Sequence, residues 1–320
     1  MRITSKMARQ LLEVLDELRE EITQEEKPGY PYAEWERRRE KVKERLARLP
    51  EYVEQAVEML EVEEKTAGRP RELDLVQRTM LFLFARLMNK SNRDMEEILW
   101  LLEPLFGFKV SYKSIERLYS DEEIRLVLHN LFLLLLQDEG VSGDFAGDGT
   151  GYSLSIEKHY RSNPKKKSKD YDYVFRLIDL ETGMYVGFGY SKKSEMEAFN
   201  KAMQMVEKHG IAIDSIALDK YYSSRKALKM FDKEVAVYVI PKKNISKLGS
   251  QWVRIIRRIA ENPTKFLKRY FMRNLSESGF SADKRRFGWR IRQRREDRQE
   301  MAMLSIALLH NIFTIRVKPG

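Results

Sequence analysis

At Gly140 the hydrophobic pattern of this 320-residue chain changes its period, and that change constrains the fold more than any other feature. Upstream, apolar residues recur at helical spacing. Downstream, strand-like runs fall at 142–147, 173–180, 184–190, 213–218 and 235–240, with helical stretches at 194–208 and 222–232. Leu180-Glu-Thr-Gly-Met184 between the second and third runs is a tight hairpin signal. Hairpin strands followed by helix-separated strands predict a mixed five-stranded sheet with flanking helices. From 246 onward the pattern is helical again and strongly basic. The predicted class is α+β or α/β, preceded by an all-α N-terminal region.

That N-terminal region reads as two parts. Residues 4–26 carry Leu11, Leu12, Val14, Leu15 and Leu18 on one helical face, stopped by Lys27-Pro28-Gly29. Residues 34–66 are highly charged with a thin apolar stripe, which suits a helical hairpin broken near Pro50 or an arm that packs on a partner chain. Residues 1–68 are thus expected to form a helical arm suited to dimerisation, with a boundary at Gly68-Arg69-Pro70. Within 69–140, the stretches 72–88 and 122–136 look like core helices. Between them, 91–120 has helix-turn-helix spacing. Ser111 is a good N-cap for a second helix whose polar face carries Tyr112, Lys113, Glu116 and Arg117, a helix suited to a DNA major groove or to ordinary packing. Residues 141–320 form the sheet domain, with a short basic helical insertion around 242–270.

Composition narrows the chemistry. There is no cysteine and only four His, which rules out thiolate chemistry and disfavours zinc; a metal here would use carboxylates, hence Mg²⁺ or Mn²⁺. The net charge of +10 makes a polyanion the first partner to consider. The surplus is local: residues 242–298 hold 18 Lys or Arg against 5 Asp or Glu, and the rest of the chain is slightly acidic. The apolar stretch Leu126–Leu136 is too short for a membrane span, which needs roughly twenty residues, and the N-terminus lacks a signal-peptide core. A cytoplasmic protein without membrane contact is expected.

Asp148 lies in Gly147-Asp148-Gly149-Thr150-Gly151 at the predicted end of the first strand, and Asp219 ends the fourth, before Lys220-Tyr221-Tyr222. Aspartates at strand ends are common in turns, so neither is specific alone. Further on, steps of three and four place Tyr270, Arg273 and Glu277 on one helix face. Ser278-Gly279 is expected to end that helix and Lys284 to return beside it. The bland reading is a solvated basic helix with an Arg–Glu pair.

Tyr-x2-Arg-x3-Glu-x6-Lys, fitted by Tyr270, Arg273, Glu277 and Lys284, resembles the YREK signature of insertion-sequence transposases with an RNase H-like DDE core. Asp148-Gly-Thr-Gly151 and Asp219-Lys-Tyr221 look like the first and second aspartate motifs of that family, and Leu309-His310-Asn311 like its closing helix. The resemblance covers roughly 141–313. It implies an RNase H-like sheet whose first and fourth strands are neighbours, with Asp148, Asp219 and Glu277 as catalytic ligands of two Mg²⁺ ions, Mn²⁺ substituting. It also implies that Tyr270, Arg273 and Lys284 hold DNA, and that a homodimer joins transposon terminal inverted repeats to target DNA in a synaptic complex on the nucleoid. Lys113, Arg117 and the loop cations Lys165, Lys166 and Lys167 are further candidate DNA contacts. Two departures stand out. Only 58 residues separate Asp219 from Glu277, which predicts a compact core without the family's β-rich insertion. Asp144 is a second candidate for the first ligand, with Asp148 favoured because its glycine-rich turn admits close approach. The rival functions are an RNase H-like nuclease that does not join strands and a domesticated, non-catalytic DNA-binding regulator.

Overall fold

A computed structural model describes residues 4–23, 32–60, 72–107, 109–154, 171–242 and 248–316. Lys165, Lys166 and Lys167 lie outside them. The chain opens with helices α1 (Ser5–Thr23), α2 (Tyr32–Ala47) and α3 (Leu49–Glu58), Pro50 standing in the first turn of α3 rather than inside a longer helix. Next come α4 (Leu75–Met88), α5 (Asn92–Leu101), the single turn α6 (Glu103–Phe106), α7 (Tyr112–Leu118) and α8 (Glu122–Glu139). Local chemistry sets these boundaries. Asp74 and Ser91 form capping boxes with Gln77 and Asp94, and the Ser111 hydroxyl accepts from Ser114 N–H at the start of α7.

The sheet follows: β1 (Asp144–Leu154), β2 (Tyr171–Asp179), β3 (Tyr185–Ser191), helix α9 (Glu195–Lys208), β4 (Ser215–Leu218), the short α10 (Arg225–Leu228) and β5 (Ala236–Tyr238). Helices α11 (Ser250–Glu261), α12 (Pro263–Phe271) and α13 (Asn274–Phe287), a two-residue strand β6 (Arg290–Ile291) and α14 (Glu296–Phe313) complete the chain. The strand order is β3-β2-β1-β4-β5, with β6 paired to the far end of β1. β1–β2 and β2–β3 are antiparallel; β1–β4 and β4–β5 are parallel. This is the RNase H-like order, enlarged by one short strand.

Two expectations about local structure need correcting. The first strand does not stop at Gly147 but runs to Leu154, so the glycines around Asp148 stand in a strand, not a turn. They are small because neighbours press on them: a Cβ at Gly147 would meet the Phe175 ring at 2.5 Å. Likewise, Ser278-Gly279 does not end a helix. α13 continues to Phe287, and the true break falls between Phe271 and Asn274. Gly279 serves close packing, since a Cβ there would lie 2.8 Å from the Tyr185 hydroxyl.

α9 covers one face of the sheet, approaching so closely that a Cβ on Gly189 would sit 1.8 Å from the Ala198 carbonyl oxygen. α13 and α14 cover the other. α14 is apolar around its whole circumference, because it also packs against α2, α4 and α8. A charged network lies under it. The carboxylate of Asp283, 2 % exposed, accepts from Arg176 at 2.5 Å and from the Tyr185 hydroxyl at 2.9 Å. His310 Nδ1 lies 2.7 Å from the same carboxylate, while its Nε2 donates to the Gly183 carbonyl at 3.0 Å. Asn311 forms a two-way bridge to the Tyr185 backbone, and Arg45 on α2 donates to the Asn311 carbonyl. The His-Asn pair thus ties α14 to β3 and α13, and through Arg45 to the helical region. Among the described residues no helix is long and apolar enough to cross a membrane.

Candidate active site

Register brings the two aspartates together. Parallel pairing of β1 with β4 ends at Gly147 opposite Leu218, and the next residues in the two strands are Asp148 and Asp219. The chain turns away after Asp219, whose carboxylate caps the following turn by accepting from Tyr221 N–H at 3.1 Å. Asp148 keeps β2 as its neighbour on the other side, opposite Arg176.

The third carboxylate arrives from above, on α13. Arg273 at the start of that helix donates to Glu277 at 2.6 Å and lies 3.7 Å from Asp219, bridging the two. Below the guanidinium lies the Tyr270 ring, 5 % exposed, with its centroid 5.3 Å away. Tyr270, Arg273 and Glu277 therefore do share a location, although a helix break intervenes. The Asp148 carboxyl is pushed up to about 6, first by burial and then by the negative charges of Glu195, Asp219 and Glu277, with a hydrogen bond from Gly149 N–H opposing the rise. Among the described residues, no three acidic, His or Cys side chains are drawn close enough to enclose an ion. The Arg273 guanidinium is the cation between Asp219 and Glu277.

Lys284 lies two turns along α13 from Glu277 and contacts β1 rather than the carboxylates. It donates to the Thr150 hydroxyl at 2.7 Å and the Gly151 carbonyl at 3.1 Å, and rests near the Tyr152 and Trp289 rings. Burial is the main reason its amine is held below the usual lysine range. Asp144 faces other partners: it accepts from the Ser215 hydroxyl and pairs with Arg269 at 3.4 Å. Four residues of strand, about 13 Å, separate it from Asp148. Lys113 and Arg117 are exposed on α7, away from the carboxylates, while Glu116 between them is bound by Arg298.

One residue at this site escaped sequence reasoning. Glu195, the first residue of α9, accepts from the Tyr222 hydroxyl at 2.5 Å, and a Cβ on Gly149 would meet its carboxyl carbon at 2.3 Å. The available signal was the run Gly147-x-Gly149-x-Gly151, which marks where neighbours crowd a strand.

No protein-family model matches the chain. A probable transposase for insertion sequence element ISA1214 from Archaeoglobus fulgidus is 67% identical to it over 316 residues, covering 99% of this chain and 98% of the relative. Identity of that extent leaves only a few residues of this chain unmatched, and the chain belongs to the family of insertion-sequence transposases.

Proposed function

We propose that this transposase cleaves and joins DNA strands at a divalent-metal site formed by Asp148, Asp219 and Glu277. The observation that supports the reading is that Asp219, at the end of β4, and Glu277, on α13, lie near enough to the half-buried Asp148 of β1 for their charges to raise its carboxyl. The donor set fits the metal. It offers hard oxygen ligands only, in a chain without cysteine, as Mg²⁺ requires and Mn²⁺ accepts. Bound there as a pair, such ions supply Lewis-acid stabilisation of charge at the scissile phosphate and its attacking and leaving oxygens.

The rest of the chemistry belongs to the chain. Arg273 pairs with Asp219 and Glu277; were metal to neutralise those carboxylates, its guanidinium would be available to a phosphate oxygen. Tyr270 holds it from beneath. Lys284, fixed by Thr150 and Gly151, offers a second cation beside the same strand. From there a basic path leads to the helical region. A cavity of about 430 Å³ is lined by Lys90 before α5, by Arg292 and Arg294 after β6, and by Arg298 on α14. α7, with Lys113 and Arg117 exposed, adjoins it through Glu116 and Tyr119. A duplex lying along this path would place transposon terminal repeats on α7 while its end reaches the carboxylates. Lys165, Lys166 and Lys167 are proposed as further phosphate contacts. A homodimer is proposed to pair two such ends in a synaptic complex, with the N-terminal helices at its interface.

The test is strand cleavage and strand transfer by the full chain on oligonucleotides carrying the element's terminal repeats, with Mg²⁺ or Mn²⁺. Asp219→Ala and Glu277→Ala are expected to abolish both steps while end binding changes little. Normal nicking by either variant contradicts the assignment. Cleavage without any joining by the wild type would favour the simple nuclease.

A further inference from the structure

We propose that Glu195 is a fourth carboxylate of the metal site, held there by Tyr222 as its positioning residue. The inference rests on the reading of Asp148, Asp219 and Glu277 as metal ligands. Glu195 opens α9, where an acidic side chain ordinarily serves the positive helix end and stays in solvent. Here Ser194 already caps the helix by accepting from Glu197 N–H, and the Glu195 side chain turns onto the sheet instead. It lies over the backbone of Gly149, the residue that follows Asp148; any side chain at 149 would displace it.

The grip on Glu195 is rigid. Tyr222 is fully buried, its ring 5.1 Å from Phe175 and 5.0 Å from Phe199, and its hydroxyl donates to Glu195 Oε1. Tyr222 also belongs to the turn that Asp219 caps. One turn therefore sets two carboxylates: Asp219 directly, and Glu195 through the tyrosine. Tyr222 bonds Oε1, and among the described residues no other hydrogen bond reaches the Glu195 carboxylate. Among the described residues no Lys or Arg forms an ion pair with Glu195 or with Asp148, whereas Asp219 and Glu277 share Arg273. A half-buried carboxylate that one tyrosine holds over Gly149, next in the chain to Asp148, and that no base pairs with is placed to take a cation. It supplies a hard oxygen ligand to a cation held by Asp148, from the sheet face opposite α13.

The test is calorimetric titration of the metal-free full chain with Mn²⁺, in the wild type and in Glu195→Gln, Tyr222→Phe and Asp219→Ala, with thermal midpoints recorded before metal is added. Glu195→Gln keeps an acceptor for Tyr222 and is expected to weaken Mn²⁺ binding at least about tenfold; Tyr222→Phe should weaken it about tenfold by loosening the ligand. Should Glu195→Gln fail to fold, Tyr222→Phe decides alone. If Asp219→Ala loses Mn²⁺ while Glu195→Gln and Tyr222→Phe bind as the wild type does, Glu195 is a structural residue and the inference is overturned, leaving the three-carboxylate site intact. If Asp219→Ala binds like the wild type, or the wild type itself binds no Mn²⁺, the metal-site reading fails and this inference falls with it.

Discussion

Asp283→Ala probes the link between the buried network and the helix that carries Glu277. Asp283 accepts from Arg176, Tyr185 and His310 inside the protein, and Arg176 is fully buried. Removing the carboxylate leaves a guanidinium in a low-dielectric interior with no counter-charge. Breaking a buried pair from one side costs about 3–5 kcal/mol, a large part of the 5–15 kcal/mol by which a typical domain is stable. At about 2 °C per kcal/mol for a chain of this size, the thermal midpoint should drop by about 6–10 °C. The cost is pH-dependent. Burial alone would raise the Asp283 carboxyl, but His310, Arg176 and Tyr185 outweigh burial and hold it below the usual range. A depressed folded-state value means that its contribution is complete above the unfolded value near ~3.9 and is lost as pH falls below it. The midpoints of wild type and variant should therefore stay apart at neutral pH and converge in strong acid. The double variant Asp283→Leu with Arg176→Met removes both charges and should recover at least about 1 kcal/mol over Asp283→Ala. A cost below about 1 kcal/mol for Asp283→Ala, or a double variant no better than it, refutes the reasoning.

Three further outcomes follow from the same structure. Gly189→Ala forces a methyl into the Ala198 carbonyl and should destabilise the protein by at least about 1–3 kcal/mol in urea unfolding, since backbone rather than a mobile side chain must give way. Lys113→Ala with Arg117→Ala should reduce the slope of log affinity against log salt for duplex DNA by about 2 if both contact phosphates; an unchanged slope removes α7 from the interface. Because the Asp148 carboxyl titrates at about 6, Mn²⁺ affinity should be steady above that value and decline about tenfold per pH unit below it, read by titration at fixed ionic strength.

The sheet was legible because its residues obey local rules: short, nearly continuous apolar runs in β2 and β3, a Thr-Gly hairpin, and apolar periodicity in α9. Asp148 and Asp219 were legible as motifs, and strand register then explains their meeting. What stayed hidden depends on contacts between distant segments. Gly147, Gly149 and Gly151 looked like a turn because glycine usually marks one; here they make room for Phe175, Glu195 and Tyr171. Ser278-Gly279 looked like a helix stop for the same reason, and Gly279 instead admits Tyr185. Glu195 was invisible because an acid at a helix start already has a sufficient local explanation in the helix dipole. Asp283 and His310, far apart in sequence, gave no sign that they meet.

The central claim is that Asp148, Asp219 and Glu277, from distant parts of the chain, together form one divalent-metal site. Fe²⁺ substituted at that position, treated with ascorbate and peroxide, generates hydroxyl radicals that cut the nearest backbone. The account expects cuts clustered around residues 148, 219 and 277, all suppressed together by excess Mg²⁺. Cutting at only one of these segments, or cuts that Mg²⁺ does not suppress, would contradict it.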